Sequence, residues 1–279
     1  MIKILVDSAS DCRKQYGKYD LFMPISINID GTEYRDGVDI DANGFYKLLM
    51  SCVDFPKTSQ PSPQAFLEIF EQIKADGDEL IYFALSSKLS GTYQGACIAK
   101  DMTDYDGIHI IDTRTATHMI GLLADHAHRL INAGLSAKEI VKQCEKLKSR
   151  VKVLAGLDTL EYLYRGGRLS KTSATVGKIA DIKPIITVSE NGTVEVVGKM
   201  LGKARAMNSI VQKLNSIKLD KDFPLYSLYT FGEENCEGLE QKLKDEGYEI
   251  SRRLQVGSTI GAHIGPGVYA VLFVTEQNS

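Results

Sequence analysis

No two cysteines of this 279-residue chain form a C-x-x-C pair; Cys12, Cys52, Cys97, Cys144 and Cys236 lie far apart. They read as reduced core or surface thiols of a cytoplasmic protein. An excess of positive charge is missing too: 33 Lys and Arg against 36 Asp and Glu leave a formal charge of −3. Nucleic-acid binding needs concentrated Lys and Arg, so that class is excluded. No apolar run approaches the ~20 residues that span a bilayer, which excludes stable membrane insertion. Met1-Ile2-Lys3 runs straight into strand-like Ile4-Leu5-Val6 instead of a signal-peptide pattern. Neither a short-period repeat nor a low-complexity linker interrupts the chain. A lipid, for such a chain, is cargo for a soluble carrier.

What is present is alternation of strands and helices. Ile2 to Val6 reads as a buried strand ending in the polar turn Asp7-Ser8-Ala9-Ser10-Asp11, and Met23 to Ile29 as a second strand. Pro63 opens a helix with Phe66, Leu67, Phe70 and Ile73 on one stripe. Leu80 to Leu85 is a strand, Thr92 to Lys100 a helix, and Ile108 to Ile111 a strand. Ser136-Ala137-Lys138-Glu139 is a capping box that starts a further helix. After about Val153 the alternation lapses. A β-hairpin follows, turning at Glu190-Asn191-Gly192, and then a mixed set of elements up to Thr275. The expectation is an α/β chain of two packed α/β domains. Residues 1–152 build a mainly parallel sheet, residues 153–279 a mixed one, and a ligand tunnel runs between them.

Two hydroxyl-rich segments, Thr58-Ser59-Gln60-Pro61-Ser62-Pro63 and Ser86-Ser87-Lys88-Leu89-Ser90-Gly91-Thr92, are separated by one helix and one strand. In an open α/β sheet, such loops line the ligand crevice. Each also opens a helix, whose free N–H groups attract an anion. With no acid, base or metal ligand woven between them, the hydroxyls suit holding a carboxylate or phosphate. For Thr58 and Ser59, a helix cap explains one hydroxyl but not three plus Gln60, so cap and ligand contact both stand open. Ser90-Gly91-Thr92 favours ligand contact, Gly91 leaving room for close approach. Ser90 has no glycine two residues before it, as a G-x-S-x-G nucleophile elbow requires, and the P-loop spacing is missing as well.

His263 lies in Gly261-Ala262-His263-Ile264-Gly265-Pro266-Gly267, read as a loop between two late strands, and could complete an anion site with Thr58 and Ser90. His126 and His128, two apart on a helix, share no face, and His109 and His118 have no partner spacing, so no metal is expected. The basic turn Arg165-Gly166-Gly167-Arg168-Leu169-Ser170-Lys171 has two open readings. One is a helix stop at glycine, the other a phosphate or partner contact through an Arg fork. Asp7 and Asp11 are simple turn residues on the plainest reading.

Taken in order, several segments resemble the DegV family: Asp7-Ser8, Gly31-Tyr34-Asp36-Gly37, Thr58-Ser59-Gln60-Pro61 and Leu89-Ser90-Gly91-Thr92-Tyr93. So do Leu160 to Leu163 with Arg165-Gly166-Gly167-Arg168, Ile182-Lys183-Pro184-Ile185, and His263-Ile264-Gly265-Pro266-Gly267. The resemblance spans nearly the whole chain. It implies a two-domain α/β protein that binds one long-chain fatty acid between its domains. It also implies that this is the non-catalytic, fatty-acid-binding subunit of a fatty acid kinase system, presenting the carboxyl group to a separate ATP-using kinase. The family's carboxylate-binding residues fall on Thr58, Ser90 and His263; Ser59, Gly91, Thr92 and Arg168 are secondary candidates from the reading of the loops themselves. Two departures stand out. Where the family usually has a lysine, one residue and an arginine, Lys199-Met200 is followed here by Leu201, with Lys199 or Lys203 as the remaining cations; and Gly95 replaces a more usual serine.

The leading expectation is a fatty-acid carrier with no cofactor and no catalysis of its own. The competing class is an esterase or acyltransferase using Ser90 as nucleophile and His263 as base, against which stand the missing elbow and the missing acid. A transcriptional module lacks a basic stripe or recognition helix.

Overall fold

The computed structural model describes residues 1–12, 19–169 and 181–277. In chain order the elements are β1 (Ile2–Asp7), a 3-10 turn (Ser8–Ser10), β2 (Leu21–Met23), β3 (Ser26–Ile29), β4 (Thr32–Arg35), α1 (Ala42–Leu49) and β5 (Lys57–Ser59). Then come α2 (Pro63–Asp76), β6 (Glu79–Ala84), α3 (Thr92–Thr103), β7 (Ile108–Asp112), α4 (His118–Asn132) and α5 (Ala137–Lys148). β8 (Val151–Gly156), α6 (Glu161–Arg165), β9 (Ile182–Val188), β10 (Val194–Leu201) and α7 (Lys203–Asn215) follow. The chain closes with β11 (Tyr226–Tyr229), α8 (Glu234–Asp245), β12 (Arg252–Gln255), α9 (Ser258–Ile264) and β13 (Tyr269–Val274).

The apolar runs Ile4-Leu5-Val6 and Leu80 to Ala84 are buried on both faces, as parallel strands under two layers of helix must be. They form the centre of a parallel four-stranded sheet in the order β2-β1-β6-β7. A six-stranded sheet in the order β10-β9-β8-β13-β11-β12 is mixed: β11 and β12 run parallel and the other neighbours antiparallel. All of its strands lie at or after Val151, and residue 152 falls inside β8. The expected α/β class, one parallel and one mixed sheet, is what forms.

One face of the parallel sheet is covered by α2 and α3, whose Phe66, Phe70, Ile73, Ala96 and Ala99 pack on Leu5, Leu80 and Tyr82. Its other face shares a single core with α4, α5 and the inner face of the six-stranded sheet. The outer face of that second sheet is sealed by α7 and α8 through Ile210, Leu214, Leu239 and Leu243. Ser136 and Glu139 cap α5 reciprocally, as the box predicts.

A third sheet, antiparallel β4-β3-β5, was not visible in the sequence pattern. The run from Met23 to Ile29, read as one strand, is two. Pro24 has no N–H to donate, so pairing stops at Met23 and resumes at Ser26 in a different sheet.

Candidate ligand-binding site

Between the two larger sheets lies a cavity of about 160 Å³. Most of its wall is aliphatic: Leu85, Met119, Val153, Ile186, Val194, Leu228, Val256 and Ile264 are among the lining side chains. Thr58, Gln60, Ser90, Arg168 and His263 also reach it.

Thr58 is the inward residue of β5. Along this three-residue edge strand, exposure alternates with period two, so Thr58 is half-buried while Lys57 and Ser59 face out. The Thr58-Ser59 part of the expected loop is therefore a strand, and Ser59 turns away from the cavity. Ser62 alone supplies the helix cap, its hydroxyl accepting the Ala65 N–H at 3.3 Å, so Thr58 is free of that duty.

His263 sits not in a loop but in the last turn of α9. Asp36, buried, fixes the start of that helix by accepting the Thr259 N–H at 2.9 Å and its hydroxyl at 2.6 Å. One helical turn later, His263 Nε2 lies 2.9 Å from Thr58 Oγ1. Burial first, and the neighbouring Arg168 cation second, push the imidazole down to about 4. At neutral pH the ring is uncharged.

Ser90 precedes α3. Its Oγ lies 2.8 Å from Thr92 Oγ1 and accepts the Thr92 N–H at 3.3 Å. Thr92 is fully buried and is not part of the cavity wall, so it supports Ser90 from behind. Gly91 has an ordinary φ of −77°. Its missing side chain accommodates Gln60, because a Cβ there would stand 2.0 Å from Gln60 Oε1.

Arg168 sits where the second reading of the basic turn needs an Arg fork, beside the cavity. It is half-buried in the cavity wall, where its Nε donates to the Leu89 carbonyl at 3.0 Å and its Nη1 to the Gly166 carbonyl. The basic turn thus grips the segment that carries Ser90. Arg165 points elsewhere, pairing with Glu161 at 2.6 Å and lying over the Phe55 ring. Ser170 and Lys171 lie outside the described residues. Leu201, 54% exposed, ends β10. Lys199 is exposed, and Lys203 is tied to Asp158 at 3.4 Å; neither lines the cavity.

Two lining residues had no sequence signal. Thr259 is bound to Asp36, as above. Thr117 adopts φ +55°, rare for a β-branched residue, and its hydroxyl donates to the buried Asp11 at 2.5 Å. A positive φ at threonine leaves no mark in the sequence. Among the described residues, no group of three or more His, Cys, Asp or Glu side chains could hold a metal ion, and no helix is long and apolar enough to cross a membrane.

Chemically, the site is an aliphatic chamber with a cluster of hydrogen-bond donors. A model of the family described as "Uncharacterised protein, DegV family" matches residues 1–276. The chain belongs to the DegV family. A DegV domain-containing protein of Caldanaerobacter subterraneus subsp. tengcongensis is 40% identical over 277 residues, 98% of each chain. Among solved structures, a fatty-acid-binding DegV family protein from Thermus thermophilus superposes with a TM-score of 0.87 at 27% identity, covering 99% of both chains. A stearic-acid-binding protein from Eubacterium ventriosum gives 0.87 at 27% identity, over 99% of this chain and 98% of that one.

Proposed function

We propose that this protein is a cytoplasmic carrier of one long-chain fatty acid, held between residues 1–152 and 153–279 as two domains. Thr58, Ser90 and His263 hold the carboxylate, with Arg168 beside them and Thr92 and Gly91 in support. The observation that carries this reading is the meeting of an aliphatic cavity with that donor cluster, in a fold shared with fatty-acid-binding proteins. Each buried methylene contributes ~0.8 kcal/mol, so the chamber supplies affinity and the donors decide which end of the chain they meet. Catalysis by Ser90 is disfavoured by its partner: the hydroxyl is bonded to Thr92, while His263 Nε2 faces Thr58.

Native mass spectrometry of protein purified from bacterial cells tests the carrier. The expected result is a non-covalent adduct with the mass of an intact long-chain fatty acid. A covalent acyl group on Ser90 would establish an enzyme instead, and empty protein that ignores added oleate would end the carrier reading.

The finer reading is that the carboxyl end is presented to a separate ATP-dependent fatty acid kinase, with Arg168 offsetting the charge of the phosphate. Purified protein, a bacterial fatty acid kinase subunit, ATP and oleate should yield acyl-phosphate, and Arg168→Ala should slow it. An oleate-loaded parent that stays inert with several such kinases would mark a carrier serving another consumer, as Leu201 in place of the family's arginine would allow.

A further inference from the structure

The two glycines of Arg165-Gly166-Gly167-Arg168 do different work. Gly167 has φ +71° just after α6, where a left-handed residue ends a helix. Gly166 has φ −71°, which any residue adopts, so its backbone does not require glycine. What requires it is His263. A Cβ on Gly166 would stand 2.3 Å from His263 Nδ1 and 3.0 Å from the Tyr162 carbonyl oxygen. Nδ1 is itself buried and has no hydrogen-bond partner, while Nε2 on the far side of the ring faces Thr58 Oγ1 at 2.9 Å.

A glycine carries a Cα hydrogen along the direction in which Cβ would lie. Here that hydrogen points at Nδ1. A second hydrogen on Nδ1 would meet it head-on, whereas a bare lone pair receives it as a weak C–H donor. The neutral ring therefore carries its proton on the other nitrogen.

We infer that Gly166 is a positioning residue that holds His263 as the Nε2–H tautomer, so that His263 donates to Thr58 and Thr58 directs its own hydrogen into the cavity. Thr58 Oγ1 accepts the Nε2–H, which leaves its O–H as the group to offer. Ser90 Oγ accepts the Thr92 N–H and shares a hydrogen with Thr92 Oγ1, where either oxygen can donate, so the polarity of the cluster is set by Thr58 and not by Ser90. With the Arg168 guanidinium, which has no acceptor, the Thr58 hydroxyl turns donors toward the cavity. The matching head group is one that only accepts: the ionised carboxylate of a free fatty acid, in preference to its ester or amide. This inference rests on the proposed carboxylate site for its ligand, but its tautomer is independent of any ligand.

Nitrogen NMR of the imidazole rings in delipidated protein at neutral pH reads the tautomer directly, the His263 signals being those absent from His263→Gln. The expected pattern is Nε2–H with an unprotonated Nδ1; an Nδ1–H pattern would overturn the inference. Gly166→Ala should displace the ring and weaken oleate binding about tenfold or more, the loss of a hydrogen bond to a charged group. Parent protein should prefer oleate to methyl oleate by about tenfold or more for the same reason. A Gly166→Ala protein with parental ring signals and parental oleate affinity would also overturn it. Should the parent show Nε2–H yet bind no fatty acid, the tautomer assignment is upheld and the carrier function falls.

Discussion

At the scale of single residues, the site depends on hydroxyls whose own bonds are local and whose positions are fixed by neighbours. Ser90 leans on Thr92, Thr58 on His263, and the segment around Ser90 on Arg168. Ser90→Ala removes one donor to a charged group and leaves the aliphatic wall untouched. Oleate affinity should fall by ~1.5–3 kcal/mol, roughly 10- to 100-fold, while the melting temperature of the ligand-free protein stays near the parent's. Matched calorimetric titration and thermal melting check this, and undiminished oleate affinity would leave Ser90 a helix-start residue only. The hydroxyls could be picked out by eye because polar groups crowded beside helix starts exceed what capping needs. Asp36 was marked only by resemblance, and its grip on Thr259 of α9 depends on a contact 223 residues away in sequence.

Elements were legible where one periodicity ruled. Of the stripe Phe66, Leu67, Phe70 and Ile73 all but the half-buried Leu67 are fully inward, and the Ser136–Glu139 box forms, since local spacing alone determines them. Short elements escaped. β5 is three residues and α9 seven, too short for a period to declare itself, and both carry site residues. The long strands, in turn, set the shape of the chamber. Across the six-stranded sheet, Ile186 stands opposite Ala155, Ala155 opposite Ala270, and Ala270 opposite Leu228. All four line the cavity, so two alanines between larger neighbours make a trough in its floor. Ala270→Leu adds three carbons there, on a face already closely packed. Overpacking of this kind costs about 1–3 kcal/mol when a cavity does not absorb it. Here the cavity absorbs it, so stability should change little and the acyl chains retained from cells should shift to shorter lengths or vanish. An unchanged set of chain lengths, read by mass spectrometry of extracted lipid, would mean that this row does not touch the ligand.

For the molecule as a whole, the shared core between the two sheets buries groups whose charges respond to pH in opposite senses. His263 is pushed down to about 4 from an ordinary 6.5 by burial and by Arg168. As pH falls below 6.5 the unfolded chain takes up this proton first, so the stability His263 lends is full above 6.5 and lost on approach to 4. Asp7 is the reverse case. Burial raises it from 3.8 to about 6 against the pull of three donors, the Leu85 and Ala9 N–H groups and the Tyr82 hydroxyl. Its contribution is full below 3.8 and lost as pH rises through 6. Burial raises the Asp36 carboxyl as well, which adds to the Asp7 side. Each of the two larger shifts corresponds to roughly 3 kcal/mol. Urea denaturation of ligand-free protein across this range should therefore give two difference curves of opposite slope. His263→Gln should gain on the parent by roughly 3 kcal/mol as pH falls from 6.5 to 4, because it has no imidazole to keep neutral. Asp7→Asn should gain by a similar amount as pH rises from 3.8 to 6, whatever its absolute stability. Slope, not height, is the readout, since either substitution also alters hydrogen bonds at every pH. Parallel curves for parent and His263→Gln would mean that the imidazole is open to water, and with it that the donor cluster is not sealed in the way its carboxylate role requires.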